Sequence, residues 1–414
     1  MMNNFKQLFK GLYVEFFWSV ALFCSFFIKA KKNANKILVL PAANLNGGFG
    51  EDIMITSFMN NFANGTPVCI LNGFKIIRED YKKINKNIEF IDGFNDKVNF
   101  LKLLLLIKNC SLVYVIGADI MDGTYRVHNS INRLRVIELA HRIGVKAQIS
   151  GFSVSKNILP VVKAKFIKVA KDVRLKIRDV ESYTRMKDFI DTDRLILTND
   201  IAFICPDVPN SYESKIYDDY QAWVNSAKAN GKTIIGVCPN AIQAKKIGFE
   251  NYLSGFKKLL EGFLEVGNYA FVFLYHDIRP ICDEASDSTI SQILNEYFKA
   301  KSVDCFYTDQ IKNGVELKGY VAQVDFTITG RMHLGISGLT FSKPMFGVSY
   351  ANKFEGMVKL FDVDPNTCLI DYDKLSESKE KILLFTKNFR AIEDSVKKNI
   401  QKVKLETSNN YTHG

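Results

Sequence analysis

Residues 326–336 read FTITGRMHLGI: an apolar run ends at Gly330, and Arg331 and His333 follow with one residue between them. The chain has 414 residues but only five histidines. Arginine offers a planar fork of donors that matches a carboxylate or a phosphate. Histidine can give or take a proton near neutral pH. Placed together at the end of a strand, they read as an anion clamp beside a proton-transfer group. GVSYANKFEG (347–356) follows the next apolar run, and Tyr350, Asn352 and Lys353 are expected along the same wall. LKIRDVES (175–182) puts Arg178 directly after a short apolar run. There it either reaches into a cleft or pairs with its acidic neighbours.

Three further loops carry small and polar residues. NLNGGFGED (44–52) offers Asn46, Gly48, Gly50 and Glu51. Its glycines permit close backbone approach, and a helix starting near Glu51 points its amides at the loop. Glu51 and Asp52 suit the helix dipole but repel a phosphate, so a sugar hydroxyl fits this loop better than an anion. YVIGADIMDGT (114–124) presents Asp119 and Asp122 as acceptors for sugar hydroxyls, and ISGFSVSKN (149–157) presents Ser153 and Ser155 as donors. Ordinary turn chemistry is the plain alternative for each loop. YHD (275–277) is a further histidine-bearing strand end, read as lining only.

These motifs need strands to hold them. KILVLPA (36–42), PVCILN, IEFID, LVYVIG and KAQISGF are short apolar runs, and helical stretches such as NRLRVIELAHRIG lie between the later ones. LKIRD and LILTND continue the series. A second series comprises KTIIGVCPN (232–240), YAFVFLYHD (269–277), VDCFYTD (303–309), VDFTITG (324–330) and KPMFGVSY (343–350). Strands alternating with helices imply parallel βαβ units. The expected organisation is an apolar N-terminal segment (1–32), a Rossmann-like domain (33–205), and a polar linker (206–221). A second Rossmann-like domain (222–373) and a C-terminal helix with its tail (374–414) complete it. The fold class is α/β, two doubly wound domains facing a cleft, with ligands met at the carboxyl ends of strands.

Composition narrows the function. Hydrophobic residues make up 47% and charged residues 24%, which argues against disorder. The formal charge of +11 favours anionic partners. No RNA-binding signature or zinc-finger spacing appears, so no nucleic-acid partner is expected. The eight cysteines include no CxxC pair and read as buried thiols in a reducing compartment, with no metal site. At the N-terminus, Gly11 to Ile28 is apolar apart from Glu15 and is flanked by lysines. As a helix it measures about 27 Å, just short of the hydrocarbon core. Membrane association through residues 11–28 is favoured, with the remainder at the cytoplasmic face of the inner membrane. A spanning anchor and a helix packed on the first domain are the alternatives.

The block GRMHLGISGLTFSKPMFGVSYANKFEGMVKLF resembles the polysaccharide pyruvyl transferase family: an arginine, one residue, a histidine, a helix, a strand, and Tyr-x-x-Lys. The matching residues are Arg331, His333, Tyr350 and Lys353, with Arg178, Asp179 and Asp200 matching earlier family positions. The first loop departs from the family's Asn-x-Gly-Asp, and the second reads GAD rather than three glycines. The resemblance implies a glycosyltransferase-B-like fold, with residues 33–205 on the acceptor side and 222–373 on the donor side. It also implies transfer of a pyruvyl group from phosphoenolpyruvate to two sugar hydroxyls, giving a cyclic ketal on a polysaccharide or a lipid-linked precursor. Arg178, Arg331, Tyr350 and Lys353 would bind phosphoenolpyruvate, and His333 would act as acid or base. Phosphoenolpyruvate is a substrate, and no cofactor is expected. The alternatives are a sugar-nucleotide glycosyltransferase of similar architecture and a non-catalytic glycan-binding member of the family.

Overall fold

The computed structural model describes residues 2–43, 45, 47–72, 79–92, 100–124, 127–206, 214–279, 285–349 and 354–412. The chain forms two compact units. Unit 1 comprises Met1–Asn46, Met54–Ile201 and Thr407–Gly414, and unit 2 comprises Gly47–Ile53 and Ala202–Glu406.

Unit 1 is built on a five-stranded parallel sheet. Its strands are β1 (Lys36–Leu40), β2 (Val68–Asn72), β3 (Ile88–Asp92), β4 (Cys110–Val115) and β5 (Lys146–Ile149), in the order β3-β2-β1-β4-β5. Leu38, Val39 and Leu40 are fully buried, as expected of a central strand covered on both faces. A short parallel pair, β6 (Leu175–Ile177) and β7 (Leu195–Leu197), follows. The C-terminal tail is fixed to this unit by Asn410. Its side chain accepts from the Gly151 amide at 2.7 Å and donates to Asn199 O at 2.8 Å, while Lys176 Nζ donates to Asn410 O at 2.6 Å.

The N-terminal apolar stretch forms α1 (Met2–Ser25), packed on the helices Phe100–Lys108 and Val127–Ile143. Trp18 and Ala21 enter the unit 1 core, and the Trp18 ring meets Phe100 edge-on at 5.3 Å. Glu15, the acidic interruption in the stretch, pairs with Arg135, whose guanidinium lies 5.1 Å from the Trp18 ring. The opposite face leaves Tyr13, Phe16 and Phe23 exposed, with Phe26 and Phe27 just beyond the helix end. The packed helix is therefore present, and no helix among the described residues is long and apolar enough to cross a membrane.

Unit 2 carries a six-stranded parallel sheet. Its strands are β8 (Thr233–Cys238), β9 (Tyr269–Phe273), β10 (Cys305–Tyr307), β11 (Phe326–Thr329), β12 (Met345–Ser349) and β13 (Leu369–Asp371), in the order β10-β9-β8-β11-β12-β13. The long helix Lys379–Thr407 packs a stripe on this unit. Phe385 meets Phe326 and Phe346 at 5.3 and 5.4 Å between ring centres. In each sheet the strand order reverses beside its first strand, β1 or β8. Doubly wound sheets hold ligands outside the carboxyl ends of the strands at such a switch point.

Candidate active site

In unit 2 the switch point lies between β8 and β11. Gly330, leaving β11, donates its amide to Cys238 O at 2.9 Å, and Asn240 Nδ2 donates to Gly330 O at 2.7 Å. These two bonds lock the strand exits together and fix where Arg331 and His333 emerge. Arg331 is the N-cap of the helix Met332–Thr340, with its amide bonded to Thr329 Oγ1 at 2.9 Å.

The guanidinium of Arg331 is held from one edge. Nε donates to Asp287 Oδ2 at 2.7 Å and Nη2 to Asp287 Oδ1 at 2.8 Å. Asp277 Oδ2 lies 3.7 Å from Nη2. Asp287 is fully buried and also accepts the Ala241 amide at 2.8 Å. Burial opposes the charge on Arg331, but Asp287 and Asp277 outweigh it and raise its pKa. Burial raises the Asp287 carboxyl from its usual value, against the pull of Arg331. Nε and Nη2 of the fork are thus occupied within the protein, and no described residue accepts from Nη1.

His333 faces a second histidine. His276, just past the end of β9, is parallel to it at 8°, with ring centres 5.9 Å apart. His276 is 4% exposed. Its backbone oxygen accepts the Phe49 amide at 2.9 Å, and Phe49 lies 6.3 Å from its ring, edge-on. Burial, then His333, Arg331 and Arg279, push His276 well below its ordinary pKa. Next in the chain, Asp277 binds Arg279 through Nε–Oδ1 at 2.8 Å and Nη2–Oδ2 at 2.6 Å. Two guanidiniums and two carboxylates thus form a fixed frame around the histidine pair.

The glycine loop completes this frame. Residues 47–53 belong to unit 2, where Gly48 bridges Asp277 and Gly47 O accepts the Ile278 amide at 3.1 Å. Gly47 has φ +127, a region that side chains disfavour. Gly50 lies in the first turn of α2 (Phe49–Asn61) and touches both imidazoles. A Cβ there would fall 2.5 Å from His333 Nδ1 and 2.9 Å from His276 Cε1.

Arg178 anchors a separate cluster in unit 1. Its Nη1 donates to Asp200 Oδ2 at 2.6 Å and its Nε to Ser153 Oγ at 2.7 Å. Ser153 in turn donates to Asp179 Oδ2 at 2.7 Å, and Asp179 caps the helix Val180–Lys187. Burial works against the Arg178 charge, and Asp200, Asp119 and Asp179 outweigh it. Arg178 is thus ion-paired, but directly with Asp200, 22 residues away, while its sequence neighbour Asp179 is reached through Ser153.

Gly48, Gly50 and Glu51 therefore gather with Arg331 and His333 in unit 2, while Asp119, Ser153 and Arg178 gather in unit 1. Asn46, Tyr350 and Lys353 lie outside the described residues. No group of three or more histidine, cysteine or acidic side chains among the described residues is arranged to hold a metal ion. The sequence alone marks His276 only as lining. The signal that could have raised it is a histidine one residue before an aspartate, right after an apolar strand.

A family profile described as polysaccharide pyruvyl transferase matches residues 57–352. That span includes Arg178, His276, Arg331 and His333 and begins after the glycine loop. No curated protein matches significantly. Among solved structures, a protein assigned as a UDP-N-acetylglucosamine 2-epimerase from Listeria monocytogenes superposes with TM-score 0.59 at 9% identity, covering 91% of this chain and 94% of that one. The UDP-GlcNAc 2-epimerase of Methanocaldococcus jannaschii gives 0.53 at 11% identity, with 85% and 92% covered. A glycosyltransferase from Rickettsia africae gives 0.51 at 13%, with 92% and 100% covered. At these identities the likeness concerns the fold alone, two Rossmann-like units of the glycosyltransferase-B kind. With more than half of its length matched by the profile, the chain belongs to the polysaccharide pyruvyl transferase family, a family of transferases.

Proposed function

We propose that this protein transfers the pyruvyl group of phosphoenolpyruvate to two hydroxyls of a sugar, in a cell-surface polysaccharide or its lipid-linked precursor, and closes a cyclic ketal. The observation that carries the reading is the Arg331–Asp287 clamp two residues from His333. With Nε and Nη2 held, the guanidinium keeps its orientation and offers Nη1 to a carboxylate or phosphate. A charge-assisted bond of this kind contributes about 1.5–3 kcal/mol. His333, in the first turn of the helix that Arg331 caps, supplies the proton that the donor's methylene carbon must accept. Tyr350, Lys353 and Arg178 are the remaining donor-binding candidates. Asn46, Gly48, Gly50, Glu51, Asp119 and Ser153 are the acceptor-binding ones. The reaction so written consumes no cofactor.

The test is release of inorganic phosphate from phosphoenolpyruvate with nitrophenyl and lipid-linked sugars, for wild type and His333→Ala. Acceptor-dependent release by wild type alone supports the reading. Turnover of a sugar nucleotide in its place points to a glycosyltransferase, and donor binding without turnover points to a non-catalytic binder.

We also propose that the protein works in the cytoplasm against an anionic membrane surface through the outer face of α1. Tyr13, Phe16, Phe23 and Phe27 form one exposed aromatic stripe, and exposed Lys29, Lys31, Lys32 and Lys108 stand at its end. The Lys31 amide donates to Lys108 O at 2.9 Å, so these lysines share one rim. An aromatic stripe beside a basic rim suits an interfacial helix on acidic lipid. Co-sedimentation with phosphatidylglycerol vesicles and not with phosphatidylcholine is expected. Equal absence from both, with a dimer in solution, would assign the stripe to a second copy.

A further inference from the structure

We propose that His276 is a second proton-transfer residue of this site and takes the proton from an acceptor hydroxyl while His333 protonates the donor. The inference rests on the pyruvyl-transfer reading and deepens it. Its first support is an unmet bond. His276 is 4% exposed, yet no described residue hydrogen-bonds its Nε2. A buried polar atom without a partner costs about 1–3 kcal/mol, and such atoms in native proteins call for a ligand or a catalytic role.

The second support is placement. The ring is parallel to His333 with centres 5.9 Å apart, and Gly50 is the small residue that lets α2 touch both. The His276 main chain is pinned by the Phe49 amide. The charged and titratable groups around the ring are His333, Arg331 and Arg279, with Asp277 adjacent in the chain and Asp287 and Glu51 bound to or facing those arginines. Burial first, then His333 and the two guanidiniums, favours the neutral imidazole, which is the state a base requires.

The third support is stoichiometry. Ketal formation delivers one proton to the donor's methylene carbon and removes one from each of two hydroxyls. In the proposed sequence, protonated His333 gives its proton to that carbon as the C=C π pair forms the new C–H bond. The first hydroxyl oxygen bonds to the adjacent carbon and its proton passes to His276. The C–O bond to phosphate then breaks with both electrons leaving on phosphate. The second hydroxyl bonds to the same carbon and returns a proton to His333. The proton on His276 departs with phosphate. One histidine would have to act three times in succession, whereas two divide the work.

The experiment uses the full chain and an acceptor that wild type turns over. His276→Gln places an amide near Nε2 that can hydrogen-bond but cannot take the proton. The expected result is unchanged phosphoenolpyruvate affinity by calorimetry and kcat lower by about 10²–10⁴-fold, with the acid limb of the wild-type kcat/KM profile abolished. His276→Asn serves as the second variant if the first does not fold. Wild-type kcat, or a lower kcat with the acid limb retained, overturns the proposal and leaves pyruvyl transfer standing. Wild type without phosphate release on any acceptor overturns both together.

Discussion

Replacing Arg331 with alanine should damage stability before it damages chemistry. Asp287 is fully buried, and three bonds hold its carboxylate: Arg331 Nε at 2.7 Å, Arg331 Nη2 at 2.8 Å and the Ala241 amide at 2.8 Å. Arg331→Ala leaves the Ala241 bond and an uncompensated buried charge. Breaking such a pair from one side costs about 3–5 kcal/mol. For a folding unit of this size that lowers the melting midpoint by about 6–20 °C. The deficit should shrink on acidification: without Arg331, burial holds the Asp287 carboxyl above its unfolded value. The stability this confers is present below the unfolded pKa and lost as pH rises. A double variant, Arg331→Met with Asp287→Asn, removes both charges, keeps an acceptor for Ala241, and should recover most of the loss. Urea unfolding followed by circular dichroism at pH 7.5 and 5 measures all three. A single variant within about 1 kcal/mol of wild type would refute the argument that Asp287 depends on Arg331. A stability loss of this size also means that only Arg331→Lys, which keeps the charge, reports on donor binding.

Four further outcomes follow from the geometry. Burial, His333, Arg331 and Arg279 depress the folded pKa of His276, so the unfolded chain takes up the proton first. Wild type should lose about 1.4 kcal/mol per pH unit below pH ~6.5, until the folded histidine itself titrates. His276→Asn should lack that component, and identical pH slopes in urea would contradict it. Gly50→Ala would put a methyl 2.5 Å from His333 Nδ1. About a 10²-fold loss of transfer is expected for a displacement of that order, with far-ultraviolet circular dichroism unchanged; full activity would mean the imidazoles are not fixed by α2. Trp18→Ala removes a ring packed on Phe100 and covered by Arg135 and Lys165, and should cost about 3–5 kcal/mol. Phe16→Ala, on the exposed face, should leave unfolding unchanged and weaken vesicle binding; the opposite pattern would reverse the two faces assigned to α1.

What was legible in the sequence was local. Runs such as KILVL and TIIGVC announce buried strands because β-branched and leucine residues crowd both faces of a parallel sheet. The alternation with helices then gives the βαβ series. Arg331 and His333 stand out because charge and imidazole interrupt an apolar strand end. Long-range pairing was not legible. Nothing near Arg331 announces Asp287, 44 residues earlier, since the two meet only after β8, β9 and β11 order themselves. Because it follows β1, the glycine loop is expected with the first domain. Its backbone instead bonds to His276 and Asp277, strand-end residues more than 220 positions later. His276 itself looked like lining because burial, not sequence context, makes an unpartnered imidazole informative. Glu15 read as a flaw in an apolar stretch until Arg135, on a helix 120 residues away, supplied its partner.

The most direct test of pyruvyl transfer is phosphate release from phosphoenolpyruvate by the full-length protein across a panel of nitrophenyl and lipid-linked sugars, with mass analysis of the product. Acceptor-dependent phosphate release, a product heavier by one pyruvyl ketal, and loss of both in His333→Ala at unchanged fold are expected. Phosphate release that is absent with every acceptor, or that persists in His333→Ala, would contradict pyruvyl transfer through His333.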